Sequence, residues 1–101
     1  MPIQTHRSED GRVLTIRIDG RFDFSSHQAF RDAYEHAEPG VAQYIVDLSD
    51  TTYLDSSALG MLLLLRDYAG GDGSAIRICN CSKDVRRILS ISNFEQLFDI
   101  D

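Results

Sequence analysis

The chain has 101 residues, 43% hydrophobic and 26% charged, enough for one globular domain spanning residues 1–101 and too few for two. Ten basic against sixteen acidic side chains give a formal charge of −6, which argues against nucleic acid as a partner and fits proteins or cations. The longest apolar run, Leu59 to Leu65 with Gly60 inside it, is far short of the roughly 20 residues that span a bilayer, and MPIQTHRSED has no apolar leader core. No membrane contact is expected, and the expected compartment is the cytoplasm.

In chain order, a short strand near Pro2 to His6 is followed by a turn at Ser8 to Gly11. RVLTIRID, residues 12–19, alternates apolar and polar and predicts a half-buried strand that Gly20 ends. Ser25-x-x-Gln28 reads as a capping box. Phe30, Ala33, Tyr34 and Ala37 come next at helical spacing until Pro39-Gly40 stops the helix. QYIVDL, residues 43–48, predicts a strand covered on both faces. A loop, 49–54, leads to a second helix over 56–69, closed by Gly70-Gly71-Asp72-Gly73. Residues 74–79 predict a strand, Ser82 caps a third helix carrying Val85, Ile88 and Leu89, and a last short strand lies in 94–100. Phe94 and Phe98 are expected in the core, and Arg86-Arg87 on a solvated face. The order β-β-α-β-α-β-α-β predicts an α/β domain with a mixed, mostly parallel sheet flanked by helices.

The second helix is apolar nearly all round. Met61, Leu64, Leu65 and Tyr68 form one stripe, and Leu59, Leu62, Leu63 and Arg66 form another. Either the helix is central and wholly buried, or one stripe is an exposed protein-binding surface. Its start, YLDSS, raises a second pair of readings. Asp55 is a good N-cap, and Ser56 and Ser57 occupy the first turn, where free N–H groups and the positive end of the macrodipole favour a phosphate. The residues are either a plain helix start or a phosphate-accepting site.

LDSSALG in front of a helix, preceded by YIVDLSDTTY, resembles the STAS-domain anti-sigma factor antagonists of bacteria. IDGRFDFSSH resembles their loop after the second strand, and the resemblance covers nearly the whole chain. It implies a single STAS domain that is not an enzyme, needs no cofactor and works as a partner switch. The unphosphorylated form binds an anti-sigma factor, often itself a serine kinase of the histidine-kinase-like ATPase class. Phosphorylation breaks the complex, and a PP2C-type phosphatase restores it. By position the acceptor is Ser56, with Ser57 second. Asp23 matches the loop acid near the phosphorylation site, and Asp55 the motif acid. With Asp23 and Asp55, Ser57, Ala58, Leu59, Met61 and Leu62 are expected at the partner surface. Ala58 stands where the family usually has Gly, which stiffens the helix start and is expected to alter a partner's approach. Many members continue into a final helix beyond the last strand, so that part of the partner surface is expected to be reduced. Nothing demands more than a monomer.

Other chemistry finds little support. His6, His27 and His36 are present, but no G-x-S-x-G elbow surrounds Ser56, so no catalytic residues are assigned. The glycine cluster lacks the Lys-Ser/Thr of a phosphate-binding loop. Cys79 and Cys81 alone make no metal pattern and are expected to be packing or surface residues. The remaining alternative is a STAS scaffold or transporter accessory subunit, never phosphorylated, that docks through the second helix.

Overall fold

Alternation in residues 13–18 is realised as a strand, β2 (Val13–Ile18), with Leu14, Ile16 and Ile18 buried and Thr15 and Arg17 turned the other way. The computed structural model describes residues 3–36, 40–71 and 75–101. The turns expected at Pro39 and at Asp72-Gly73, and the expectations for Pro2, Ala37 and Ser74, lie outside the described residues.

The strand Ile3–Arg7, β1, runs antiparallel to β2, pairing Ile3 with Ile18 and Arg7 with Leu14. β4 (Gln43–Asp47), β6 (Ile76–Cys79) and β7 (Asp99–Ile100) continue the sheet in parallel, giving the order β1-β2-β4-β6-β7. Two further strands, β3 (Gly20–Phe22) and β5 (Thr51–Leu54), pair in parallel as a separate ribbon. The class and the mixed, mostly parallel sheet agree with the expected architecture. β3 and β5 are additions, standing where the sequence suggests a strand end at Gly20 and a loop over 49–54. Gly20 has φ +79°, so the chain turns there, its amide donates to the carbonyl oxygen of Asp50 at 2.9 Å, and strand pairing resumes.

Three helices, α1 (His27–Glu35), α2 (Ser56–Tyr68) and α3 (Lys83–Ile91), share one core with a single face of the sheet. Leu14, Tyr44 and Ile76 stand in one row of that face, and Ile16, Val46 and Ile78 in the next. Phe30 and Tyr34 of α1, Leu62 and Leu65 of α2, and Val85 and Leu89 of α3 close over them. The other face is open. Ile45 of β4 lies on it and is half-buried, so β4 is covered on one face rather than both. Phe94 and Phe98 are buried as expected, with ring centroids 5.5 Å apart.

The caps show where local chemistry sets the boundaries. Ser82 accepts from the Val85 amide at 3.2 Å and starts α3 as its sequence indicates. The expected Ser25–Gln28 box does not form. Asp23 instead caps a short 3₁₀ turn, Phe24–Ser26, in a reciprocal box with Ser26 that leads into α1. No helix among the described residues is long and apolar enough to cross a membrane.

Thr51 is buried, and its hydroxyl donates to the carbonyl oxygen of Ile18 at 2.7 Å, tying the ribbon to the end of β2. Thr51→Val should lower unfolding stability by about 1–2 kcal/mol in urea denaturation, and Thr51→Ser, which keeps the donor, by less.

Candidate functional site

Phe22 and Leu54 are paired at the ends of β3 and β5 and are both buried, which fixes where the two strands stop. The next residue in each is an aspartate with extended backbone, Asp23 at φ −138° and ψ −168° and Asp55 at φ −117° and ψ −175°. Each aspartate caps the helical segment after it. The ribbon therefore delivers two carboxylates and two helix starts to one edge of the molecule.

The Asp55 carboxylate accepts from the Ala58 amide at 3.0 Å, and the Leu59 amide donates to the Asp55 carbonyl oxygen at 3.2 Å. Ser56 is then the first helical residue and is exposed, while Ser57 is half-buried. Neither hydroxyl makes a hydrogen bond within the described residues. The Ser56 oxygen is free for chemistry, at the helix end whose partial positive charge favours an anion.

Asp23 is held more tightly. Its carboxylate accepts from the Ser25 amide at 3.0 Å and the Ser25 hydroxyl at 2.5 Å, and Arg21 Nε donates to it at 3.1 Å. The Arg21 guanidinium also lies over the Tyr53 ring, 4.2 Å from its centroid, so one cation links the two strands. The Asp23 amide donates to Ser26 Oγ at 3.4 Å, and the Ser26 hydroxyl donates to the Arg21 carbonyl oxygen at 3.1 Å. Beside this network Phe24 is 76% exposed, with the His27 ring stacked against it.

Of the expected partner-surface residues, Asp23, Asp55, Ser57 and Leu59 keep some exposure. Ala58, Met61 and Leu62 do not. They lie in the core, at 0%, 3% and 0% exposed, because the face of α2 turned to the sheet is Ala58, Met61, Leu62 and Leu65. No partner can touch them in this fold, and the methyl at Ala58 acts on packing rather than on a partner's approach. Neither sequence stripe is the real one, since the buried set takes members of both. Leu63, Leu64 and Tyr68 are left 41%, 51% and 52% exposed. Arg21, Tyr53 and Phe24 join the site without a signal in any one segment. Their only signal is the match of Phe22-Asp23 to Leu54-Asp55, which has meaning only once the strands are paired.

A family model described as "Mlab, STAS domain" matches residues 5–99. The chain belongs to the STAS-domain family. A STAS-domain containing protein of Pseudomonas aeruginosa (strain UCBPP-PA14) is 62% identical over 100 residues, covering 99% of each chain. Among solved structures, this STAS domain is similar to a proposed anti-sigma factor antagonist from Thermotoga maritima, with TM-score 0.83 at 18% identity over 97% of this chain and 84% of that one. It is also similar to the Bacillus cell fate determinant SpoIIAA in its phosphorylated form, with TM-score 0.74 at 18% identity over 98% of this chain and 90% of that one. These likenesses concern the fold.

The Asp23 carboxyl is held below the usual carboxylate range, first by the Ser25 hydroxyl and then by Arg21. A depressed folded pKa adds stability above the unfolded value, and that stability is lost as pH falls through the folded value. In an NMR titration of the side-chain carboxyl carbons, Ser25→Ala should raise the Asp23 midpoint towards the ordinary range, and Arg21→Gln should raise it less.

Proposed function

We propose that this STAS domain is an anti-sigma factor antagonist in a partner-switching pathway. The unphosphorylated form binds an anti-sigma factor or kinase partner, phosphate on Ser56 releases it, and a PP2C-type phosphatase resets the switch. The domain acts in the cytoplasm by binding, not by catalysis. The observation that carries this reading is the Ser56 hydroxyl, exposed and without a hydrogen bond among the described residues, on the first residue of a helix whose cap, Asp55, is firmly bonded. A kinase needs a serine its active site can reach, and a switch needs that serine on a defined surface. Ser57, half-buried, is the weaker acceptor.

The electrostatics give the switch its direction. A phosphate adds about −1.5 to −2 charges at neutral pH. It would arrive beside Asp55 and at the edge that also carries Asp23, so any partner packed there would have to desolvate a cluster of like charges. Asp23, Asp55, Ser57 and Leu59 are the residues of the proposed contact, with Phe24 and Tyr53 as its exposed aromatics.

The alternative is a scaffold that docks constantly through α2. It draws on the exposed Leu63, Leu64 and Tyr68, which lie in the middle and final turns of that helix.

Mass spectrometry of the protein from its native cells, with phosphatases inhibited, should find phosphate on Ser56. In binding assays with partners captured on Ser56→Ala, Ser56→Asp should bind about a hundredfold more weakly, equivalent to about 3 kcal/mol. Serine bare under all growth conditions, with binding unchanged in Ser56→Asp and lost in Leu64→Asp, would decide for the scaffold.

A further inference from the structure

The outer face of α3 differs from the rest of the surface. Val85 and Leu89 are in the core and Ile88 is half-buried, whereas Lys83, Arg86, Arg87, Ser90 and Ile91 are exposed. The chain's other cations are mostly engaged. Arg17, Arg21, Arg31 and Arg77 sit in ion pairs, and Arg7 and Arg66 donate to the carbonyl oxygens of Gly11 and Leu97. Lys83, Arg86 and Arg87 make no side-chain hydrogen bond or ion pair among the described residues, a condition shared only with Arg12 in the turn before β2. This holds in a chain with sixteen acidic side chains, one of which, Asp84, lies on the same helix.

A second observation gives the face an apolar component. Ile91 is 75% exposed and stands four residues after Arg87, so the two share one side of the helix. An isoleucine so exposed beside unpaired cations suits a ligand that presents both carboxylates and an apolar side chain. Nucleic acid and anionic bilayers fit poorly. The three cations span only about 6 Å of helix axis, at roughly 1.5 Å per residue, and the formal charge of −6 repels an extended polyanion. We propose that the outer face of α3 is a docking surface for an acidic, amphipathic segment of a partner protein, its carboxylates on Lys83, Arg86 and Arg87 and an apolar residue on Ile91. The helix packs against β5, the strand that leads into Asp55, but the proposed docking does not require Ser56 to be modified.

The test uses the full chain, labelled with ¹⁵N, and a synthetic peptide of alternating glutamate and leucine. Amide shifts should concentrate in residues 83–91, and binding should weaken as salt rises. The combined variant Lys83→Gln, Arg86→Gln, Arg87→Gln, all at exposed positions, should lose at least about tenfold in affinity. Ile91→Ser should weaken the leucine-bearing peptide but leave unchanged the weaker binding of a same-length peptide with serine in place of leucine. Shifts spread elsewhere, or affinity unaltered by the charge variant, would overturn the proposal. So would phosphatidylglycerol vesicles or a single-stranded oligonucleotide binding residues 83–91 as tightly as the peptide does. The Ser56→Asp protein should bind the peptide at α3 as wild type does, so failure here is distinguishable from failure of the switch.

Discussion

Parallel pairing of two very short strands positions everything at the candidate site. β3 and β5 contribute seven residues between them, too few to be stable alone, and they persist because both ends are anchored. Phe22 and Leu54 are sunk into the core at one end. At the other, the Thr51 hydroxyl and the Gly20 amide bond to the carbonyls of Ile18 and Asp50. Side chains alternate along a strand, so a slip of one residue would bring Arg21 or Tyr53 inward and expose Phe22 or Leu54. The register is therefore strongly specified by burial. Because the strands are parallel, their ends lie at the same edge. The aspartate cap and the serines beyond each end therefore stand in duplicate, side by side.

That arrangement concentrates charge in a way no single segment does. The Arg21 guanidinium is held between Asp23 and the Tyr53 ring, on the ribbon that ends in Asp23 and Asp55. Nearby on the chain, Arg17 pairs with Asp19 and Asp50. Arg21, the cation beside Asp23, is already committed in the resting fold, whereas Lys83, Arg86 and Arg87 of α3 are unpaired among the described residues. New negative charge at Ser56 would meet a helix N-terminus that favours it and carboxylates that do not. The helix end can hold a phosphate locally while the edge as a whole becomes more repulsive to an acidic partner.

The long elements are legible in the sequence because their signals are repeated. Alternation over Val13–Ile18 and helical spacing over Phe30, Ala33 and Tyr34 each give several votes for one period. β3 and β5 have too few residues for any period to show, and the glycine between β2 and β3 resembles a stop. The start of α1 is read in the sequence as a Ser25–Gln28 box, but a 3₁₀ turn capped by Asp23 comes first and α1 follows from Ser26 without a side-chain cap. The Asp23 carboxylate takes the Ser25 amide and hydroxyl together, so Ser25 is not left to cap α1. In α2 nearly every position is apolar, so periodicity cannot choose a face. The choice rests on Ala58, a residue too small to weigh in a hydrophobic stripe, and it starts the buried series 58, 61, 62, 65. Ser56 and Asp55 are legible because capping and a motif speak for the same residues. Arg21 and Tyr53 are not, because their meeting depends on contacts 32 residues apart in the sequence.

Ala58 bears on how any switch at Ser56 would work. In a helix, alanine is favoured over glycine by about 1 kcal/mol, mostly through the freedom glycine retains when unfolded. Here the methyl is also fully buried, so it adds packing at the position whose amide the Asp55 carboxylate holds. The first turn of α2 is thereby fixed from inside by the core and from outside by its cap, and Ser56 rides on a rigid element. On the reading that Ser56 accepts a phosphate, little is left for the modification to unfold or rotate locally. Its effect has to be exerted through charge and bulk on a surface already formed, so the bound partner, not the STAS domain, would undergo the larger change on release.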